Sequence, residues 1–538
     1  MLRLFTLAAV FAVPALAPAQ EIRGSRIRAH VKFLASDLLE GRGVGARGGE
    51  LAAEYLAAQL ALAGLQPAGE NGSYFQRVPL VGVQPLETSE LEADVANFKV
   101  RFRWLTDFVG YTLQQTEQAS LDAEAVFVGH GISAPEFGWD DYKGVDVRGK
   151  VVVLFTGEPP SQDPAFFAGK ALTYYGRWTY KYEEAARRGA TAAIIVHTTP
   201  TASYGWDVVK TSWGREDMQV RLEAGQSALT FAGWITEAMG DRIFSAVGKT
   251  AAEMLQAAGN RGFEAIPLGV RFRGRFPAKI RMVESQNVLG ASPGSDPRKK
   301  DEAVVFTAHW DHLGVNRSLA PDGIFNGAVD NATGCAMVLE IARAWQTLEV
   351  KPRRSAIFLF VTAEENGLRG AHYYAAHPAV PAHKTALNLN FDAFFPYGRT
   401  TDVVVNGAER TTVWTTVQNV AQRFGLTLAP DPRPESGSYY RSDHFAFARA
   451  GIPAFSISMG TSFAGKPADW GLNLIREYTA KHYHQPSDEY QESWDFSGLE
   501  ELAKFGFTIG LDVANSEKMP TWRPGDEFLP ARQKSGVR

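Results

Sequence analysis

Three short apolar runs in this chain end on ionisable side chains within about ninety residues of one another, and this repetition constrains the fold more than any other feature. The runs are Ala303–Ala308, Ala356–Val361 and Ala386–Phe391, each of strand length and bounded by polar residues, so they read as buried strands. They end on or next to His309, then Glu364 and Glu365, then Asp392. Open α/β sheets form their ligand sites outside the carboxyl ends of the strands. A shared sheet would therefore gather these side chains along one edge.

Residue chemistry assigns them roles. Zinc accepts imidazole nitrogen and carboxylate oxygen, and paired hydrolytic metals lie about 3.5–4 Å apart, which calls for a bridging carboxylate. Asp330 is placed to bridge. It opens an expected helix from Asn331 to Thr347, in which Cys335, Val338, Leu339 and Ala342 recur at helical spacing. His309 and Asp392 would complete one metal site, Glu365 and His484 the other. Asp311 is suited to hydrogen-bond the free nitrogen of His309 and fix its tautomer. Glu364 is left as general base toward a metal-bound water. A lone histidine after a strand is usually structural and adjacent glutamates usually form a solvated loop. These strands are too apolar to be peripheral, however, and buried acids need a partner or a metal.

The segments that hold these residues follow one another in a familiar order. His309–Gly314, Gly327–Gly334, Glu364–Gly367, Asn390–Asp392, Ser442–His444 and Tyr483–Asp488 resemble successive motifs of the co-catalytic di-zinc aminopeptidases, a family that also contains glutamate carboxypeptidase II and the transferrin receptor. The resemblance runs over about residues 25–515. It implies an α/β fold with a mixed, mostly parallel sheet flanked by helices, two Zn2+ per chain, and hydrolysis of peptide substrates by a metal-bridging hydroxide with Glu364 as base. It further implies a cis peptide between Asp330 and Asn331, with Asn331 held by hydrogen bonds and Gly327 and Gly334 easing the tight backbone. Substrate contacts are expected around Ser442, Asp443 and His444, with Tyr439 as a candidate oxyanion donor and Tyr440 beside it as the alternative. Within the family, release of amino-terminal residues is the preferred expectation. A carboxypeptidase-like dipeptidase needs arginines that grip a carboxylate, and Arg441 and Arg399, though close to motifs, form no recognisable clamp. Glutaminyl cyclisation uses one zinc, whereas positions for two are filled here. A catalytically inactive binding protein, as in the transferrin receptor, is disfavoured by the complete ligand set.

At 538 residues the chain is long enough for two to four domains. Residues 20–115 and 266–515 are assigned to the catalytic domain. Residues 116–265 are assigned to an inserted, smaller α/β unit resembling a protease-associated domain, most recognisable at Asp141–Lys150. Its Trp178, Trp206 and Trp213 are read as core packing in preference to a binding surface. Residues 516–538 are expected to be a poorly ordered tail. Residues 1–19 read as a signal peptide, with Arg3, an apolar core from Leu4 to Ala17 and a small-residue site at Ala17–Ala19, which predicts an exported, periplasmic or secreted protein. A single Cys335 permits no internal disulfide. A net charge of −4 gives no reason to expect nucleic acid or a membrane surface as partner, and the oligomeric state is left open. Gly43–Gly48 matches a dinucleotide-binding pattern but follows an amphipathic helix where a strand is required. His30, His130, His197, His372, His377 and His383 are expected at the surface or at helix ends. His312 and His444 lie in motifs but outside the ligand set, and His482 is the neighbour most easily confused with His484.

Overall fold

The computed structural model describes residues 21–96, 98–223, 225–319 and 321–537. The expected signal peptide lies outside them. The three apolar runs form adjacent strands, Ser355–Val361, Ala303–His309 and Thr385–Phe391, in one sheet. Ala303–His309 pairs in parallel with both neighbours, and Thr385–Phe391 pairs in parallel with Ala454–Met459. Register decides what this achieves. His309 stands beside Val361, and Thr307 beside Asn390, so the parallel strands finish level and their following loops open on the same edge. Antiparallel strands extend the sheet on both sides, Asp402–Asn406 against Ala454–Met459 and Ile266–Ser292 against Ser355–Val361.

One face of this sheet is covered by Thr333–Gln346, Ser497–Asn515, Gly24–Leu34 and Arg47–Leu62, which bury a continuous apolar core with the strands. The glycines of the 43–49 turn serve close packing there. A Cβ on Gly48 would stand 1.8 Å from the Leu39 carbonyl oxygen, and one on Gly49 2.3 Å from that of Gly43. The turn thus brings a helix against a loop, and no strand precedes it.

Ile266–Ser292 is a single 27-residue strand. Its second half belongs to the sheet just described. Its first half pairs with Glu90–Val95 and Gln118–Phe127 in a second sheet, which continues through Val151–Leu154, Ala192–His197 and Phe231–Thr236 to Phe108–Tyr111. Residues 90–111, expected with the catalytic part, therefore hydrogen-bond into the second sheet, upstream of the expected boundary at residue 116. Trp213 is buried and stacks on Tyr111 at 4.7 Å, and it also lines the pocket described below.

Other expectations need correction. The tail is not loose: Trp522, Phe528 and Arg532 are buried, and Arg532 donates to the carbonyls of Ala382, Thr385 and Pro520. Apolar burial and three satisfied carbonyls outweigh a Pro- and Arg-rich composition. His130 and His197 are also buried. Among the described residues, no helix is long and apolar enough to cross a membrane.

Burial, and then the charge of Lys181, push His130 down to about 3, so it folds neutral. Between that value and the ordinary 6.5 the unfolded chain takes up a proton that the folded one refuses, so stability is present above pH 6.5 and declines as pH falls. Urea titrations of His130→Gln and the parent between pH 6 and 4 should differ in slope by about 1.4 kcal/mol per pH unit, the parent falling more steeply.

Candidate active site

The strand ends deliver the side chains to one point. His309 Nε2 lies 3.2 Å from Asp330 Oδ1 and 3.2 Å from Asp392 Oδ1. On the other side of Asp330, His484 Nε2 lies 3.5 Å from Asp330 Oδ2 and 2.9 Å from Glu365 Oε2. Asp330 is thus shared by two imidazole–carboxylate sets. All five expected ligand residues come together, with Asp330 between the other pairs.

The backbone holds Asp330 in place. It follows a wide turn, Ala328–Ala332, from which the regular helix starts at Thr333 and not at Asn331. The Asp488 carboxylate accepts the amides of Val329 at 3.0 Å and Asp330 at 3.1 Å, and Tyr478 donates to it at 3.0 Å. The Asp330–Asn331 peptide is cis. Asn331 donates to the Phe391 carbonyl at 2.9 Å and accepts the Gly334 amide at 3.0 Å, which ties this turn to the strand that leads to Asp392. Gly327 has φ +58, and a Cβ on Gly334 would stand 2.3 Å from both Asn331 Oδ1 and the Phe391 carbonyl oxygen. Arg42, fully buried, donates to the carbonyls of Leu34, Trp310, Asn326 and Gly327, clamping the loops that carry His309 and Asp330. Three non-glycine residues at the cluster sit in the left-handed region: Ala363 at φ 52, Ala393 at φ 56 and His484 at φ 58. Such backbone costs of order 1–3 kcal/mol per residue and persists only where its surroundings fix it.

Some expected contacts differ in detail. His309 Nδ1 meets the backbone carbonyl of Asp311 at 3.2 Å, while the Asp311 carboxylate accepts the Glu364 amide at 3.1 Å. Asp311 therefore positions Glu364 with its side chain and His309 with its backbone. Ser442 donates to Asp392 Oδ2 at 2.6 Å and accepts from Asn390 at 2.7 Å, holding the Asp392 carboxylate. Asp443 is buried with both oxygens unpartnered, and burial pushes its carboxyl well above the carboxylate range. His444 is buried against the Tyr439 ring and held neutral, near 3, chiefly by burial. Tyr439 does not reach the cluster: its hydroxyl donates to the Ala454 carbonyl at 3.0 Å inside an apolar core. Tyr440, the alternative, does line the pocket over Glu364, but its hydroxyl donates to Glu527 at 2.8 Å.

Sequence reasoning missed His312, whose Nδ1 lies 2.6 Å from Glu365 Oε1. It stands three residues after His309 in the same motif, and that spacing was the available signal. The pocket of about 430 Å³ that ends on Glu364, Glu365 and His484 is walled by both parts of the chain, Arg177, Trp178 and Trp213 facing Arg441, Tyr483 and His484.

Charge states what this cluster can accept. Burial alone would raise Asp330 and Glu365, yet contacts from His309 and His484 hold Asp330 well below the usual range, and His484 and His312 do the same for Glu365. Burial opposes protonation of His484, yet Glu365 and Asp330 lift it to about 10. The carboxylates thus draw protons onto the imidazoles in default of other cations. His484 Nε2, though 2.9 Å from Glu365 Oε2, makes no hydrogen bond. Two nitrogen–oxygen sets meeting at one shared carboxylate fit a pair of divalent cations. Burial pushes Glu364 well above the carboxylate range, against the pull of His309.

Residues 287–505 match Peptidase family M28. The chain is 28% identical over 213 residues to leupeptin-inactivating enzyme 1 of Streptomyces exfoliatus, covering 38% of this chain and 42% of that one. It is 26% identical over 261 residues to a vacuolar membrane protease of Coprinopsis cinerea, covering 47% of this chain and 23% of that one. The chain spans less than half the length of these curated relatives. An aminopeptidase from Aneurinibacillus sp. strain AM-1 shares the fold, with TM-score 0.52 and 19% identity over 94% of this chain and 98% of that one.

Asp330→Asn should abolish binding of both divalent ions, whereas Glu365→Gln should weaken one. Elemental analysis after dialysis against the metal checks this, and equal loss in both variants would contradict the shared role of Asp330.

Proposed function

Because residues 287–505 belong to peptidase family M28, we propose that this chain is an exported zinc-dependent exopeptidase that removes amino-terminal residues from peptides. The observation that carries the reading is the sharing of Asp330 between the His309–Asp392 and Glu365–His484 sets, with Glu364 beside them at the pocket floor. Leucine aminopeptidase and leupeptin-inactivating relatives support a peptide substrate. Export is supported by the leader-like residues 1–19. We assign the unit built on the second sheet as a protease-associated insertion, which agrees with its walling of the pocket.

His309, Asp330, Asp392, Glu365 and His484 would hold the metals. When bound, two zinc ions polarise the scissile carbonyl and make the attacking water more acidic. Glu364 takes the proton from that water and returns it to the leaving amine nitrogen. Its raised proton affinity suits the acid half of this task, and the Asp311 contact to its amide fixes where the carboxyl reaches. Glu365, held ionised by His484 and His312, and the carboxyl of Glu364 lie at the pocket floor, where a free α-ammonium finds acceptors that a blocked amino terminus could not use.

A peptide set presented with free and acetylated amino termini, with and without chelator, tests the reading. Free termini should be hydrolysed and acetylated ones spared, with chelator abolishing turnover. Glu364→Gln should retain both metals yet lose about 10²–10⁴ in turnover, the range for a removed general base. Retention of activity in that variant would remove Glu364 from the reaction.

A further inference from the structure

A second cavity opens where the two parts of the chain meet, and none of His309, Asp330, Glu365, Asp392 and His484 lines it. It measures about 1200 Å³, against about 430 Å³ for the catalytic pocket. Phe137, Leu172 and Tyr175 line it from the second-sheet unit, and Trp414, Leu428 and Leu529 from the rest of the chain. The Leu172 amide donates to the Pro434 carbonyl at 3.1 Å, which ties the two sides of this groove together.

The charge of the groove is one-sided. Five carboxylates line it, those of Glu136, Glu409, Asp431, Asp526 and Glu527, against the single guanidinium of Arg410. Arg410 is already committed: it pairs with Asp526 at 2.7 Å and Glu527 at 2.8 Å and lies over the rings of Tyr439 and Phe528. Among the described residues the other three acids meet only neutral donors. The Tyr175 hydroxyl reaches Glu136 at 2.6 Å, the Gly407 amide reaches Glu409 at 3.1 Å, and Asp431 accepts from the Arg433 backbone amide at 2.8 Å and from the Asn406 and Ser438 side chains. A cleft walled by apolar surface and lined by one sign of charge focuses its field and concentrates the opposite charge.

Size and lining argue for a stretch of polypeptide as the occupant. Small-molecule sites run to about 1000 Å³, and this groove is larger. Leu428 and Ala429 belong to a three-residue strand, Thr427–Ala429, that pairs on one side only among the described residues, and an open strand edge accepts an extended segment. Apolar side chains of such a segment would pack on Leu172, Trp414 and Leu529, and basic ones would meet Glu136, Glu409 and Asp431. We propose that this groove docks a peptide segment in which arginine or lysine alternates with apolar residues, as a second peptide site that binds without cleaving. The inference goes beyond the peptidase reading and does not rest on it. Tyr440 lines both cavities, with its hydroxyl donating to Glu527, so a docked segment lies beside the catalytic pocket with that side chain between them.

The probe is acetyl-Arg-Leu-Arg-Leu-Arg-Leu-amide, whose blocked amino terminus removes it from exopeptidase cleavage, compared by calorimetry with the same peptide carrying Gln at the three Arg positions. At low ionic strength the Arg peptide should bind about 10-fold more tightly than the Gln peptide, the range for three exposed ion pairs, and the advantage should shrink as salt is raised. Glu136 and Glu409 are exposed, so Glu136→Gln combined with Glu409→Gln should leave the fold and the cleavage of Leu-Leu intact. That double variant should weaken the Arg peptide about 5-fold and leave the Gln peptide unchanged. Equal affinity of the two peptides for the parent, or an Arg-peptide affinity that the double variant does not alter, would overturn the proposal. So would competitive inhibition of Leu-Leu cleavage by the Arg peptide with the same affinity in parent and variant, since that places it on the acidic floor of the catalytic pocket. Absence of Leu-Leu cleavage in the parent, with charge-dependent binding of the Arg peptide intact, would sink the peptidase reading and leave the groove standing.

Discussion

The site depends on one carboxylate being held still between two histidines. Asp330 is acidic, buried and approached from both sides by imidazole nitrogens, and its position is set by the amides that Asp488 accepts and by the bonds of Asn331. Concentrating Asp330, Asp392, Glu364 and Glu365 within a few ångströms would be prohibitive without positive charge among them. The raised proton affinity of His309 and His484 reflects that demand. Ala363 and Ala393 take left-handed backbone directly beyond the buried strands Ser355–Val361 and Thr385–Phe391, and His484 takes it just after the Trp470–Lys481 helix.

The long strand Ile266–Ser292 gives the second unit its part in the site. Being common to both sheets, it fixes their relation without a flexible joint, and the Trp178–Arg187 helix is thereby set over the pocket whose floor is Glu364 and Glu365. An insertion joined only by loops would leave such a wall free to drift. Here the wall contributes charged side chains, among them Arg177 and Glu183, to the same pocket as Glu364 and Glu365.

Much of this was legible in the sequence, for a physical reason. Buried parallel strands are continuous apolar runs, so their ends are sharp, and the residues His309, Glu364, Glu365 and Asp392 stand out at them. The bridge at Asp330 could be read from the helix that follows it. What could not be read was non-local or made by backbone. Nothing linear tells that Asp488 accepts the amides at Asp330, that Arg42 clamps two loops through four carbonyls, or that His312 turns toward Glu365. Tyr439 matched a motif position, yet packing took its hydroxyl to Ala454. Composition misjudged the tail, because Trp522 and Arg532 find their partners in distant segments.

The most direct measurement is anomalous diffraction at the zinc absorption edge from crystals of the protein grown with zinc. The account predicts two peaks about 3.5–4 Å apart, with Asp330 contributing an oxygen to each. A single peak, or two peaks of which only one touches Asp330, would contradict it.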